Sequence, residues 1–225
     1  MLSFATKAIK YFTNLNSTIK LLGRVKILNP YEKNEVNSAV SQFFQKFYYD
    51  ERKRIFILGI NPGRFGGGLT GISFTDPVAL RKHCGIDNQL GSKEELSSKF
   101  IYEVINHFGG VKNFFSHFFL SAIYPLALIK DGKNHNYYDS QKLFDTLRPH
   151  LLKSLEEQIL FGAERTVVVC LGKKNAEYLK MLDNEIHLFD KIEILDHPRF
   201  IMQYRKKKME DYIKKYLAIL NSSLL

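Results

Sequence analysis

A short segment near the carboxyl end of the sequence, beginning at His197, carries side chains that could act on a ligand. The imidazole follows a short apolar pattern and precedes Pro198, which keeps the histidine backbone extended. Arg199, Phe200 and Tyr204 lie beside it and mix charge with aromatic surface, a combination suited to phosphate contact and base stacking. The chain has 7 histidines, and a lone histidine is more often structural than catalytic, so the pattern leaves both roles open.

Four consecutive cations follow this segment: Arg205, Lys206, Lys207 and Lys208. We predict that they open a closing amphipathic helix from Tyr204 to Leu220. Cations at a helix amino terminus oppose the macrodipole, so the run does not stabilise that helix. Contact with phosphate groups and a solvated charged face remain as its two alternative roles.

The strongest local bias is a glycine-rich loop from Asn61 to Phe74, which holds five of the 14 glycines. Glycine lets a backbone approach a ligand closely or adopt a positive φ. The loop fits neither the GxGxxG nor the Walker A pattern, because no GK[ST] follows it. From the residues alone, a phosphate cradle and a long surface turn both remain open.

The elements that would position these residues alternate between apolar strands and amphipathic helices. Predicted strands cover Arg54 to Ile60, Phe114 to Ile123, Thr166 to Leu171 and Ile192 to Leu195, and predicted helices cover Glu35 to Tyr49, Glu94 to Phe108, Ser140 to Leu160 and a stretch ending at Leu182. The alternation predicts a three-layer α/β/α sandwich around a central, mostly parallel sheet of four strands. Functional groups lie beyond the carboxyl ends of parallel strands, so we expect the stretches that begin at Asn61, Ser121 and His197 to converge.

Composition and charge limit the classes of protein. Of the 225 residues, 45% are hydrophobic, which is enough for a core. We take residues 1–225 as one domain, with an N-terminal helical part at 1–50 packed on it. No apolar run approaches the roughly 20 residues that span a bilayer, so no membrane partner is expected. A net charge of +10, from 33 basic and 23 acidic residues, favours a polyanionic partner but leaves other partners open.

Two further features bear on the compartment. Cys84 and Cys170 are the only cysteines and neither belongs to a CxxC pair, so we expect no metal site, no disulfide framework and a reducing cytoplasm. Residues 1–30 contain no acidic side chain, which fits a transit peptide or an ordinary helix. We favour the helix, with Phe4, Ile9 and Phe12 on one face.

The glycine loop also carries a resemblance to a known family. The stretch GINPGRFGGGLTGISF, which ends at Phe74, closely resembles the first motif of the single-strand-selective monofunctional uracil-DNA glycosylases, within the uracil-DNA glycosylase superfamily. The DHPRF segment resembles the second motif, although residues that better-known members have between the proline and the arginine are missing. The likeness covers about residues 29–220 and is closest to a bacterial branch with a compact second motif.

The resemblance implies a role for each matching residue. Asn61 matches the catalytic asparagine that orients a water or contacts the base, and His197 matches the residue that donates to the base O2. Phe74 matches the aromatic that stacks on the extruded base. Gly63 and Gly67 match positions that line the space near C5 of the pyrimidine. Small residues there would admit a C5 substituent, so 5-hydroxymethyluracil is an expected additional substrate.

The resemblance also implies DNA contacts and one departure from the family. Arg199 and Phe200 lie where the family inserts a wedge into the vacated stack. The DNA contacts expected around the base pocket are Arg64, Arg199, Phe200, Tyr204, Arg205, Lys206, Lys207 and Lys208. The family's usual base-reading asparagine is replaced by Ser121 or Ala122, depending on the alignment, and we assign Ser121 to base binding. Losing an amide reader predicts a relaxed preference that extends to xanthine and hypoxanthine.

The resulting hypothesis is a monofunctional DNA glycosylase that hydrolyses the N-glycosidic bond of uracil and initiates base-excision repair. Water is the nucleophile, so no metal and no cofactor are expected. The expected partner is uracil-containing DNA, single-stranded with double-stranded DNA left open, and the expected protein is a monomer in the bacterial cytoplasm. The alternatives are a nucleotide- or phosphate-binding α/β enzyme that uses the glycine loop and a non-catalytic nucleic-acid-binding module.

Overall fold

A parallel sheet forms the centre of the protein in the computed structural model, which describes residues 2–16, 18–21 and 23–225. Within these residues the strands are β1 (Val25–Leu28), β2 (Arg54–Gly59), β3 (Phe118–Ala122), β4 (Ala127–Lys130), β5 (Lys133–His135), β6 (Ala163–Leu171) and β7 (Ile192–Leu195). Four of them pair in the order β3-β2-β6-β7, and all three pairings are parallel. Ile57 pairs with Leu120 on one side and with Val169 on the other. The carboxyl ends of these four strands therefore lie along one edge of the sheet.

Helices flank this sheet. In the described residues they are α1 (Phe4–Thr13), α2 (Asn34–Tyr48), α3 (Gly67–Thr70), α4 (Pro77–Lys82), α5 (Leu96–His107), α6 (Val111–His117), α7 (Gln141–Ile159), α8 (Lys173–Ile186), α9 (Pro198–Tyr204) and α10 (Met209–Ser222). The predicted α/β class with a parallel sheet of four strands between helices is confirmed. None of the helices in the described part of the chain has the length and apolar character to cross a bilayer.

The first helix packs against an aromatic core. Phe4 is fully buried, and its ring centroid lies 5.0 Å from that of Phe119 and 6.3 Å from that of Phe56. Phe12 is also buried, whereas Ile9 is only partly buried. The aromatic contacts join this helix to two central strands, because Phe56 and Phe119 are paired neighbours on β2 and β3.

Two predicted elements differ from the structure. The stretch 114–123 was expected to be a strand, but α6 extends to His117 and the strand begins at Phe118. A continuous apolar run does not distinguish a buried helix from a buried strand, which explains the error. The closing helix predicted from Tyr204 to Leu220 begins only at Met209 as α10, because Tyr204 ends the separate short helix α9 and Lys206–Lys208 form a 3₁₀ turn. The short helix α9 begins at Pro198. Proline is favourable at the first helical position, because the N–H that it lacks would have no partner within the helix there.

A second, smaller sheet was not predicted. Strands β1, β4 and β5 pair antiparallel in the order β1-β4-β5. Each has only three or four residues, and β5 (Lys133–His135) is polar throughout. This small sheet brings the residues after β5 to the carboxyl-end edge of the parallel sheet, where Asn61 contacts them.

Candidate active site

The segments that follow β2, β3 and β7 meet at a cavity of about 340 Å³. Its walls include Asn61 from the glycine loop, Ala122 from the end of β3 and His197 after β7. Phe74, at the far end of the glycine loop, forms another part of the wall. The structure thus brings together the three segments that strand order predicted to converge.

The amide of Asn61 is held by main-chain atoms of the segment that begins in β5. Its Nδ2 donates to the carbonyl of His135 at 3.0 Å, and its Oδ1 accepts the N–H of Tyr137 at 3.3 Å. The two contacts fix the plane of the amide and the direction of its carbonyl. A second lone pair on Oδ1 remains for a water or a substrate group.

The imidazole of His197 is oriented by the helix that follows it. His197 is the N-cap of α9, and its Nδ1 accepts the main-chain N–H of Arg199 at 3.2 Å. Burial, and to a lesser extent the charge of Arg199, lower the pKa of His197 to about 4. The ring is therefore neutral at ordinary pH, and because Nδ1 is an acceptor, the proton is on Nε2. His197 can thus act as a hydrogen-bond donor that carries no charge.

Phe74 places its ring inside the same cavity through an unusual backbone conformation. Its φ is 56°, in the left-handed region that few side-chain-bearing residues adopt. The ring lies directly over Gly59, because a Cβ at that position would be 2.5 Å from the Phe74 Cζ. The Phe74 and His197 ring centroids are 6.1 Å apart. A flat ligand stacked on Phe74 would thus present an edge to the imidazole.

One cavity residue was not found from the sequence. Glu95, the N-cap of α5, extends its carboxyl group into the wall next to Gly63 and Gly66. The pKa of Glu95 is raised to about 7, chiefly by burial, with the charge of Arg199 lowering it and the charge of Asp76 raising it. No sequence pattern points to this residue, since it is one of 23 acidic residues and belongs to neither motif.

The assignment of Ser121 to base binding is corrected by the structure. Ser121 is fully buried and its hydroxyl donates to Gln158 of α7, so it does not line the cavity. Adjacent strand residues point to opposite faces of a sheet, and this alternation turns Ala122 towards the cavity instead. Ala122 has no polar side-chain atom, so the wall carries no hydrogen-bonding side chain at this position.

Only one of the two glycines expected near the base lines the cavity. Gly63 lines the cavity, whereas Gly67 packs inside the loop, where a Cβ would be 3.0 Å from the Ile72 carbonyl oxygen and 3.2 Å from the Pro62 Cβ. Gly67 therefore serves the folding of the loop. Arg64 also lies outside the cavity wall, and its guanidinium stacks over Phe65 at 4.4 Å from the ring centroid.

Aromatic and basic groups lie at the rim of the cavity. Arg199, Phe200 and Tyr204 all contribute to its lining. Phe200 and Tyr204 are 39% and 66% exposed, and their ring centroids are 5.6 Å apart. The Arg205 guanidinium lies 5.4 Å from the Phe200 ring centroid.

The lysine run is close in sequence to this rim but does not form the cavity wall. Lys206, Lys207 and Lys208 are exposed and form the 3₁₀ turn between α9 and α10. The expected cluster of positive charge thus has two parts. Arg199 and Arg205 lie at the rim of the cavity, and the three lysines lie beyond the rim in the 3₁₀ turn.

Comparisons with known proteins identify the family of this chain. The family model of the uracil DNA glycosylase superfamily matches residues 46–221. The chain belongs to this superfamily. The solved structure of wild-type SMUG2 from Pedobacter heparinus is 38% identical to this glycosylase, with a TM-score of 0.94, and the match covers 99% of this chain and 98% of that chain. No protein of curated function matches the glycosylase at a significant level.

The family and the fold establish the class of reaction. This uracil-DNA glycosylase is a hydrolase of DNA repair, and DNA is its partner. The nucleotide-binding alternative is not favoured, because the glycine loop leads into a helix of only four residues, Gly67–Thr70. Its glycines instead make room for protein atoms, as the collision between a Cβ at Gly63 and the carboxyl group of Glu95 illustrates.

Proposed function

We propose that this glycosylase is monofunctional and releases uracil from DNA at the cavity formed by Asn61, Phe74 and His197. The observation that carries the proposal is the neutral imidazole of His197, whose Nδ1 is occupied by the Arg199 N–H. Its Nε2–H is then available to a base that lies on Phe74. No lysine lines the cavity in the described part of the chain, which supports hydrolysis by water without a Schiff base.

The chemistry follows from these positions. The bond between C1′ and N1 breaks with both electrons going to the base, which becomes an anion with charge on O2. The Nε2–H of His197 donates to O2 and stabilises this charge as it develops. The sugar is left as an oxocarbenium-like cation, to which a water adds at C1′. The added water then loses its proton to solvent, and the released base anion takes up a proton from solvent. Asn61 accepts a hydrogen bond from that water through the free lone pair of Oδ1.

The proposed substrate range is wider than uracil. The match of Gly63 to a position near C5 of the pyrimidine supports acceptance of 5-hydroxymethyluracil, whose substituent would then lie beside the Glu95 carboxyl group that fills the space above Gly63. Ala122 supplies no hydrogen bond where an amide would select uracil, which supports release of xanthine and hypoxanthine. The cost of losing such a bidentate contact is on the order of 1–3 kcal/mol of discrimination.

The rim of the cavity is the proposed DNA contact. Phe200 and Tyr204 offer exposed rings on which bases next to the extruded nucleotide can stack, which supports binding of single-stranded DNA. Arg199 and Arg205 add positive charge beside them, and Lys206–Lys208 extend it. Double-stranded DNA is the second proposed form of substrate, with Phe200 or Arg199 filling the vacated position in the stack.

We further propose a monomer of one domain, 1–225, in the bacterial cytoplasm. The aromatic contacts of Phe4 with β2 and β3 support a single folding unit. The free thiols of Cys84 and Cys170 are buried and suit a reducing compartment. Light scattering after gel filtration measures the mass in solution, and a dimer mass would contradict the monomer.

The deciding experiment is a base-release assay on an oligonucleotide with one uracil, followed by alkali to cleave the abasic strand. We expect release by the wild type, a loss of about a hundredfold or more in Asn61→Ala and in His197→Ala, and little change in DNA binding. Asn113→Ala and His107→Ala are matched controls, since neither residue lines the cavity. Wild-type rates in both site variants would overturn the site, and intact DNA with the wild type would overturn the function.

A further inference from the structure

The cavity wall has two titratable side chains that could meet the base away from the exposed rim. They are His197 and Glu95, whereas Arg199 and Tyr204 lie at the exposed rim. The amide of Asn61 is already engaged with main-chain atoms. With His197 assigned to O2, the carboxyl group of Glu95 has no assigned partner.

Each other asparagine on the same wall has one end of its amide engaged with the protein. Asn134 accepts the Arg64 N–H through Oδ1 at 3.0 Å, and Asn136 donates through Nδ2 to Asp139 at 3.1 Å. Among the described residues, no hydrogen bond reaches the Glu95 carboxyl oxygens, and this partly buried side chain faces the cavity. Its carboxyl group is therefore open to a hydrogen bond with a ligand that fills the cavity.

The position of Glu95 is fixed on both sides. Its main-chain N–H donates to Asp76 Oδ2 at 2.8 Å, and its backbone occupies the N-cap position of α5 without a capping hydrogen bond from the side chain. Its two carboxyl oxygens occupy the space that a Cβ on Gly63 and a Cβ on Gly66 would need. The glycines therefore let the carboxyl group lie against the loop that also carries Asn61.

An un-ionised carboxyl group can distinguish deaminated bases from their parents. Uracil and hypoxanthine carry a keto oxygen, which accepts a hydrogen bond, where their parents cytosine and adenine carry an amino group, which donates one. Xanthine differs from guanine in the same way, but at C2. A protonated carboxyl group donates through its O–H and matches the keto oxygen. An ionised carboxylate only accepts, so it repels the keto oxygen and matches the amino group.

We propose that Glu95 determines base specificity, with its un-ionised carboxyl group donating a hydrogen bond to the keto oxygen of the extruded base. The proposal rests on the proposed function. It supplies the polar contact that Ala122 does not, and one donor serves pyrimidine and purine substrates alike.

The electrostatic surroundings support this protonation state. Burial holds the pKa of Glu95 at about 7, with Arg199 lowering it and Asp76 raising it. These are the charged groups that face the carboxyl group, Asp76 from the N-cap of α4 and Arg199 from α9. The acid form is thus populated at and below neutral pH, and a hydrogen bond from the acid to a keto oxygen increases that population further.

The test measures kcat/KM for uracil release from about pH 5.5 to about pH 8.5. We expect the wild-type value to fall about tenfold between pH 6 and pH 8, as the carboxyl group of the free enzyme ionises. Glu95→Gln should remove this fall, because its amide donates at every pH. Glu95→Ala should lose about tenfold at pH 6 and show no fall. Glu94→Gln is the control, since Glu94 is exposed and pairs with Lys99 at 2.5 Å, and it should keep the wild-type profile.

A second measurement needs no variant. Pyrimidin-2-one lacks the keto oxygen at C4, so the wild-type ratio of uracil release to pyrimidin-2-one release should fall about tenfold between pH 6 and pH 8. A constant ratio, or an alkaline fall that persists in Glu95→Gln, would overturn the role of Glu95. Absence of uracil release by the wild type at every pH would instead overturn the proposed function, so the two failures are distinguishable.

Discussion

Gly59 and Phe74 are in such close contact that a Cβ on Gly59 would lie 2.5 Å from the Phe74 Cζ and 2.8 Å from its Cε2. Gly59, the last residue of β2, therefore determines how closely the Phe74 ring, on which the base is proposed to stack, can approach the strand. Because Gly59 is part of a rigid parallel strand, the ring and not the backbone must move if that space is filled.

Gly59→Ala should displace the Phe74 ring and weaken stacking of the extruded base. Base stacking on an aromatic ring contributes about 1–3 kcal/mol, so we expect uracil release to fall about tenfold to a hundredfold. Single-turnover kinetics on a uracil oligonucleotide measure the loss. Phe74→Leu should lose a similar amount, and the double variant should lose little more than either single one. Additive losses would show that the two residues act separately.

The low pKa of His197 predicts a pH dependence of stability. The value falls from 6.5 in the unfolded chain to about 4 in the folded protein. As pH drops from about 6.5 to about 4, the unfolded chain binds a proton that the folded protein does not, so stability decreases by up to about 3 kcal/mol. Above pH 6.5 this contribution is fully present. Urea unfolding of the wild type and of His197→Gln should diverge in this interval, and parallel curves would contradict the shift.

Exchanges between serine and alanine at positions 121 and 122 of β3 should separate stability from base selectivity. Ser121→Ala leaves the buried Gln158 without its donor, so we expect a loss of about 1–3 kcal/mol in unfolding free energy and an unchanged ratio of uracil to hypoxanthine release. Ala122→Ser adds a hydroxyl group to the cavity wall and should change that ratio with a smaller effect on stability. Denaturant unfolding and a two-substrate assay measure both quantities. A changed ratio in Ser121→Ala would restore that residue to base binding.

Neutralising the exposed lysine run should weaken the salt dependence of DNA binding. Replacing Lys207 and Lys208 by glutamine should lower the slope of log K against log salt by roughly one for each lost phosphate contact. Lys53 and Lys112 are both exposed. Lys53 precedes β2 and Lys112 lies in the first turn of α6, which leads into β3, so both are on the side of the amino ends of these strands and their double variant is a control that should keep the slope. Equal slopes for both double variants would remove the lysine run from the DNA interface.

Removing the ring of Phe4 should destabilise the whole protein. Phe4 is fully buried and contacts Phe56 and Phe119 on two central strands. Phe4→Ala should therefore cost about 3–5 kcal/mol in one cooperative unfolding transition. Leu2→Ala, at a residue 59% exposed, is the control. A separate early transition in Phe4→Ala would mean that the N-terminal helix unfolds independently.

The parallel sheet could be predicted because its strands are short apolar runs with clear ends. The glycine loop and His197 follow such strands directly, so topology was enough to place them at one edge. Ser121 and Ala122 are adjacent on β3, and only the observed register shows which of the two faces the cavity. Glu95 reaches the site through the packing of α5, which no local pattern in the sequence records.

The partners of Asn61 could not be predicted either. They lie more than 70 positions away, beside a three-residue strand whose polar side chains give no strand signal. Short antiparallel strands depend on pairing over long range, so local propensity carries little information about them.

The contacts of Asn61 also bear on how this site tolerates change. Both of its partners are main-chain atoms, the carbonyl of His135 and the N–H of Tyr137. Ordinary side-chain replacements at these two positions leave both atoms in place, and only proline at 137 would delete one of them. The orientation of the proposed water-binding amide is thus specified by chain path and not by side-chain identity, which makes it robust to most single-residue substitutions in that segment.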